Sequence, residues 1–424
     1  MPQAQHDILV IGAGIAGAAI TQVFLQQGKT VRVLDSGPKP ASGTSAHAFA
    51  LAHPGLIRAR PLLRRLTYIA FALAKQTWQP FWREEGIFQA LKPSTEFNES
   101  LLNEQLVSAG FDQDAAQPLR ASEAQHLTGV SRDGIWFPKG ATINLEKTCT
   151  TIFSQQDKLT YEANTIVTSI SYDGVYWQAL DQKGRLLAKA KSVVLACAHG
   201  AKQLVAGLQI TLPLKPVRGQ LNQFQISATS SWLKYLPTVV ISGEGYCLPA
   251  SYDANTKRYT LVVGSSYDEN ETSLAAWTSS DAHNRQQAAS LLNYVDGNLA
   301  ELNLANSFVG VRCVANDRLP IIGAISSMPG LYFATALGSR GVLWSALAAA
   351  IISEQVQAQE AANLQGRLST SNQASTAALA RLARLGLSAD LVAAISPVRF
   401  LAGALPAALA SNSKPILPLE SKAK

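Results

Sequence analysis

An α/β fold opening on a βαβ unit is what the first 35 residues of this 424-residue chain predict, on three observations. An apolar run, Asp7-Ile-Leu-Val-Ile11, leads straight into Gly12-Ala-Gly-Ile-Ala-Gly17. An Ala-rich stretch from Ala18 to Gln27 follows and stops near Gly28. A second apolar run, Lys29 to Asp35, then ends on a carboxylate 23 positions after Gly12. Branched apolar residues at Ile8, Val10 and Ile11 suit a strand covered on both faces, and the order strand, glycine turn, helix, strand is that of a Rossmann-like unit.

Each part of that opening has a physical task. Gly12 permits the tight turn, Gly14 lets the backbone approach a pyrophosphate, and Gly17 lets helix and strand pack closely. Ile15 and Ala16 lie within the loop, where the helix N-terminus turns unpaired N–H groups and a partial positive charge toward the anion. Asp35, with Ser36 beside it, is placed to accept hydrogen bonds from ribose hydroxyls. The loop alone does not separate a nicotinamide from a flavin dinucleotide. Two further motifs do. Ser42-Gly43-Thr44-Ser45 offers hydroxyls and N–H groups to the flavin side. Gly338-Ser339-Arg340-Gly341 follows a strand and opens a helix at Val342, so a second helix N-terminus faces the pyrimidine edge of a flavin. Val167 and Ala196 complete the expected cofactor contacts.

Along the rest of the chain, Pro61 to Glu85 has helical spacing (Leu62, Leu66, Ile69, Leu73, Trp78), and Gly134 to Pro138 is a strand ending at a turn. Leu159 to Leu180 alternates in part like a β-hairpin region, and Ser192 to Ala196 is a short buried strand. Strand-like runs recur at Leu221 to Ile226, Gly245 to Pro249 and Tyr259 to Gly264, before a helical stretch from Asp281 to Val295. Strand Gly330 to Ala334 and helix Val342 to Glu354 restore the α/β pattern. The expected organisation is a discontinuous, glutathione-reductase-like nucleotide-binding domain (1–60, 140–205, 305–360). Into it is inserted a substrate domain of mixed β-sheet plus helices (61–139, 206–304), and a helical tail (361–424) ends in a polar, frayed segment.

Composition narrows the class. The chain is 47% hydrophobic and 15% charged, which suits a large core and argues against extended disorder. Lys and Arg number 36 against 29 Asp and Glu, a net charge of +7 compatible with an anionic partner such as RNA but gathered into no dense run. Four scattered cysteines without a CxxC pair indicate neither zinc nor a disulfide framework. No signal-type segment or membrane-length apolar run is present, so a cytoplasmic protein without a membrane span is expected.

The order of motifs resembles the glycine oxidase/D-amino-acid oxidase (DAO) superfamily of flavoenzymes. Within it, the likeness is to the FAD-dependent half of the bifunctional tRNA 5-methylaminomethyl-2-thiouridine biosynthesis family. It rests on Ile11 to Gly17, Ala41 to Ser45 with His53-Pro54, Trp136-Phe-Pro138, Pro216-Val-Arg-Gly-Gln220, Gly310-Val-Arg-Cys313 with Asp317-Arg-Leu-Pro320, Leu337 to Gly341, and Pro397-Val-Arg-Phe400. Ser45-Ala-His47 departs from the more usual Ser-Gly-Asn. No methyltransferase half precedes the flavin motif, so methylation is expected of a separate enzyme.

The resemblance implies FAD as cofactor and oxidation of a carboxymethylaminomethyl group on the wobble uridine of tRNA, releasing glyoxylate and leaving the aminomethyl uridine; no DNA partner is implied. Such chemistry asks for an Arg whose planar fork holds the substrate carboxylate. By the family likeness Arg312 is the first choice, then Arg340, then Arg218. Relatives that attach flavin through Cys carry it where this chain has Gly310, so Cys313 leaves FAD non-covalent. His47 and His53 are expected to pack in turns or the flavin pocket rather than act as bases. The competing readings are a small-molecule oxidase or dehydrogenase for glycine, sarcosine or a D-amino acid, and a non-catalytic flavin- or RNA-binding protein.

Overall fold

The computed structural model describes residues 5–56, 60–112, 114–154, 156–294, 298–364 and 371–401. Strand β1 (His6–Ile11) pairs in parallel with β2 (Val31–Leu34), and helix α1 (Ile15–Gln26) crosses between them. Ile8 and Val10 enter one apolar core while Leu9 and Ile11 enter another, so helices and chain cover both faces of the strand.

An eight-stranded sheet forms around this unit. Leu186–Leu195 lies in parallel on the other side of β1, Leu159–Glu162 lies in parallel beyond β2, and Leu331–Thr335 runs parallel to the end of Leu186–Leu195. A hairpin of Ser169–Tyr172 and Trp177–Leu180 closes one edge. The carboxyl ends of these parallel strands therefore gather Gly12, Asp35 and Ala196 at one rim, where ligands of open α/β sheets bind.

A second, ten-stranded sheet is built around Leu214–Ser227. This strand pairs antiparallel with Arg258–Gly264 on one side and with Asn303–Ala315 along the other. Helix Thr278–Leu291 packs on the sheet, with Ala288 and Leu291 in its core.

Several elements differ from the sequence expectation. The helix begun at Pro61 ends at Thr77 (α2, Pro61–Thr77), because Pro80 removes a donor; Arg83–Glu84 then pairs with Ala141 and Thr142. Only the second half of 159–180 is a hairpin, since Leu159–Glu162 joins β2 instead. The last helix of the sheet domain runs on to Leu364. Two boundaries differ as well. Residues 303–315 belong to the large sheet rather than to the nucleotide-binding one. The α2 helix buries Leu63, Leu66 and Ala70 in the core shared with α1 and Gly341–Leu364. The tail is helical at Ser371–Ala383 and Ala389–Ile395, and the polar end beyond Leu401 lies outside the described residues. All four cysteines are free thiols.

Candidate active site

A cavity of about 1640 Å³ runs from the rim of the first sheet to the face of the second. Small-molecule sites typically measure ~300–1,000 Å³, so this one has room for a dinucleotide and a second group. On the first wall Gly12 adopts φ +111°, and a Cβ there would stand 2.5 Å from the Ala196 carbonyl oxygen. At Gly17 a Cβ would lie 1.9 Å from Gly12 O. That residue lies behind the cavity, as its packing task requires.

Asp35 organises the turn as well as facing the cavity. Its Oδ2 accepts from Ala13 N at 2.6 Å and its Oδ1 from Gly37 N at 2.7 Å. The second motif folds over α1: Ser45 Oγ accepts from Ile15 N at 3.1 Å, Thr44 donates to Val311 O at 2.6 Å, and Ser42 is held by the Lys39 backbone. Gly341 opens the other helix against α1, where its Cβ would be 3.4 Å from Ile15 Cγ2. Two helix N-termini thus face one cavity, a setting that favours negative charge.

The opposite wall carries Arg312, which reaches the cavity from the middle of strand Asn303–Ala315. Its guanidinium donates to Ser266 O at 3.3 Å, Arg218 O at 3.5 Å and Ser265 Oγ. Among the described residues no carboxylate lies within 4.0 Å of it. Burial lowers its pKa, and Tyr246, Tyr267 and Asp268 pull the other way. A partly buried cation supplied only with neutral acceptors favours an incoming anion. Burial and then the nearby Arg312 push His47 down to about 4; burial and then Arg340 push His53 down to about 3. Both imidazoles are neutral at pH 7, and both line the cavity beside Phe49 and Leu51.

Of the sequence-chosen residues, Gly12, Gly14, Ile15, Ala16, Asp35, Ser36, Ser42, Gly43, Thr44, Ser45, Ala196, Gly338, Ser339, Gly341, Val342, Arg312 and Arg340 all line this cavity. Val167 does not; it packs against the apolar core on the far face of the first sheet. Arg218 does not either, and the ladder explains why. Arg218 stands opposite Val311 while Arg312 stands opposite Val217, so the two arginines project from opposite faces of the same strand pair. Arg218 is fully buried, ion-paired to Asp268 at 3.0 Å, bonded to Gln220 and Ser280, and stacked 3.8 Å over Trp277. It is a structural residue. Sequence reasoning missed Tyr246 and Tyr267, which line the cavity beside Arg312. The available signal was period-2 alternation: Tyr246 precedes the core residue Cys247 and so faces the other way.

A glycine-turn βαβ unit joined to a large mixed sheet, with a dinucleotide-sized cavity between them, defines the class of flavin-dependent oxidoreductases. The chain belongs to the DAO family, FAD dependent oxidoreductase, whose model matches residues 7–355. It is similar to the tRNA 5-methylaminomethyl-2-thiouridine biosynthesis bifunctional protein MnmC of Cupriavidus necator, 30% identical over 95% of this chain; the chain spans 61% of that relative's length. Glycine oxidase from Geobacillus kaustophilus superposes with a TM-score of 0.65 at 18% identity, over 83% of this chain and 95% of that one. The FAD-bound L-alpha-glycerophosphate oxidase of Mycoplasma pneumoniae gives 0.66 at 17% identity, over 82% and 93%. The residues present fit FAD: the Gly12 cradle is one a Cβ would fill, and two helix N-termini converge beside Asp35. No helix among the described residues is long and apolar enough to cross a membrane.

Proposed function

We propose that this chain oxidatively removes the carboxymethyl group from 5-carboxymethylaminomethyl-(2-thio)uridine at the tRNA wobble position, giving the 5-aminomethyl uridine and glyoxylate. The observation that carries the reading is Arg312, a partly buried guanidinium on the cavity wall with no carboxylate partner among the described residues. It fits the carboxylate at the end of the substrate arm, and the relatives named for tRNA modification supply the rest of that substrate.

The glycine loop, Asp35, the Ser42–Ser45 segment and the second helix N-terminus at Gly341 hold FAD in this reading. FAD bound there supplies the hydride acceptor for oxidation of the CH–NH bond. The protein's own contribution is placement and desolvation. Arg312 fixes the carboxylate by its fork, which orients the adjacent CH₂. The neutral His47 and His53, with Phe49 and Leu51, give a wall that disfavours an ammonium and so favours the neutral amine that oxidation requires. Arg340 adds positive charge at the second helix N-terminus. FAD is non-covalent in this reading, since Gly310, against Thr44, offers no side chain for attachment; acid precipitation then releases the yellow colour. A tRNA substrate implies work in the cytoplasm.

Anaerobic flavin bleaching tests the proposal, with tRNA carrying the carboxymethylaminomethyl group compared with glycine, sarcosine and D-alanine. Bleaching by the tRNA is the expected result; bleaching by a free amino acid alone would move the chain to the small-molecule oxidases.

A further inference from the structure

The tRNA reading leaves open how the site distinguishes its substrate from the free amino acids that carry the same carboxylate and amine. One feature of the cavity bears on this. Of the large apolar side chains exposed among the described residues, Tyr267 is the one that lines the cavity, with 45% of its surface accessible. An exposed aromatic ring on the wall of a site offers a flat face on which a planar ligand can stack.

Two cations lie within reach of the ring. The half-buried Arg312 places Cζ 5.7 Å from the ring centroid, and Arg318 at the surface places its own at 6.0 Å. Arg318 is anchored outside by Glu269 at 2.8 Å. The backbone that carries Tyr267 is held on both sides. Ser266 N donates to Gln220 O at 3.1 Å, and Ser266 Oγ accepts from Gln220 N at 3.0 Å and donates to Asp268 Oδ2 at 2.9 Å. Asp268 is in turn gripped by the buried Arg218, and residues 268–269 pair with 217–218 in the large sheet. Arg218 and Gln220, on the face away from the cavity, thereby brace the segment that presents the ring.

We infer that Tyr267 is a stacking platform for the uracil ring of the substrate, acting with Arg312 in a two-point contact that selects a nucleobase-bearing amine over a free amino acid. The inference rests on the tRNA reading above. The lengths agree: four bonds separate the ring carbon from the carboxylate carbon in the carboxymethylaminomethyl arm, on the order of 5 Å when extended. That is the scale of the 5.7 Å between the Arg312 guanidinium and the Tyr267 centroid. Base–aromatic stacking is sequence-tolerant and strong enough to matter. A flat ring beside a cation also suits a uracil whose carbonyl oxygens accept hydrogen bonds.

The test compares wild type with Tyr267→Phe, Tyr267→Trp and Tyr267→Ala as FAD-loaded full-length proteins. Each is mixed anaerobically with an anticodon stem-loop RNA carrying the modified uridine, and separately with sarcosine, which has the same arm without a base. The readout is the ratio of flavin-reduction rates at limiting substrate, RNA over sarcosine; where sarcosine is not oxidised, its perturbation of the flavin spectrum reports Arg312 instead. Tyr267→Ala should lower the RNA preference by roughly tenfold, the scale of one lost stacked base, while the Phe and Trp variants keep it. Equal losses with RNA and sarcosine would assign Tyr267 to holding Arg312 and overturn the inference, as would an unchanged ratio in Tyr267→Ala. A wild-type protein that stays yellow with the RNA removes the tRNA reading itself, a failure distinct from loss of the stacking contact.

Discussion

The two sheets present chemistry to the cavity in opposite ways. The first uses strand ends: Gly12, Asp35 and Ala196 sit where parallel strands stop, and the working groups there are largely backbone N–H donors fixed by one short turn. The second uses strand middles, where side chains from the antiparallel ladder of 214–227 and 303–315 project inward in strict alternation. A group of the first kind depends on its immediate neighbours in the chain. A group of the second kind depends on the register between segments about a hundred residues apart, and a shift of one position would exchange Arg312 for its neighbours.

The largest expected effect strikes the first wall. Gly17→Val puts carbon into space held by the Gly12 carbonyl. It should cost about 3 kcal/mol or more through overpacking and yield colourless protein on purification. Protein that stays yellow and equally stable would show that the loop tolerates what its packing forbids.

The ladder predicts a division of labour between its two arginines. Arg218→Met should lower stability by about 3 kcal/mol, because Asp268 and the amide of Gln220 lose their buried partner. Arg312→Ala should leave flavin content unchanged and slow turnover of carboxylate-bearing substrates by roughly 10- to 150-fold, the equivalent of a charged hydrogen bond. Denaturant melts and steady-state kinetics separate the two. The opposite pattern would mean that Arg218, not Arg312, meets the substrate.

Asp35→Ala sharpens the account of the first wall. Its carboxylate serves Ala13 and Gly37 as well as the cofactor side, so FAD binding should weaken by roughly 1.5–3 kcal/mol with modest loss of stability. Flavin retained fully through dialysis would confine Asp35 to shaping the turn.

A pH dependence arises where the two walls meet, small near pH 6 and growing only as the solution turns acid. His53 is held near 3 in the folded chain against 6.5 when unfolded. The unfolded chain therefore takes up the proton first as pH falls. Stability is full above about 6.5 and declines as pH drops toward the folded value. His53→Asn should make the fall of melting temperature across that interval shallower, with His47 supplying the remainder, and an unchanged slope would place the effect elsewhere.

This contrast also explains what could be read from the sequence. Gly12, Gly14, Gly17 and Asp35 form one contiguous pattern whose spacing implies its own geometry, and Ser42–Ser45 and Gly338–Gly341 are legible as turns opening on it. Arg312 was reached through family likeness, and nothing in the spacing of Arg218, Arg312 and Arg340 distinguishes the one that turns inward from the one that turns away. Tyr246 and Tyr267 went unseen for the same reason. Alternation beside Cys247 marks the face that Tyr246 occupies, but that this face meets the cavity is set by pairing between distant segments. Residues 305–315 are expected in the nucleotide-binding domain but pair with 214–223 in the large sheet, a partnership between distant segments that neither segment spells out.

The contact between Ile15 and Gly341 joins the beginning of the chain to its last third. During synthesis the glycine turn leaves the ribosome early, yet its companion helix emerges only after both sheets have nearly been made. Contacts so far apart in sequence form slowly, so a nascent chain halted before Val342 has half a cofactor seat and no partner for Trp78, whose indole bonds to Val342 O at 3.0 Å. A complete seat for the flavin therefore exists only when the fold is almost finished.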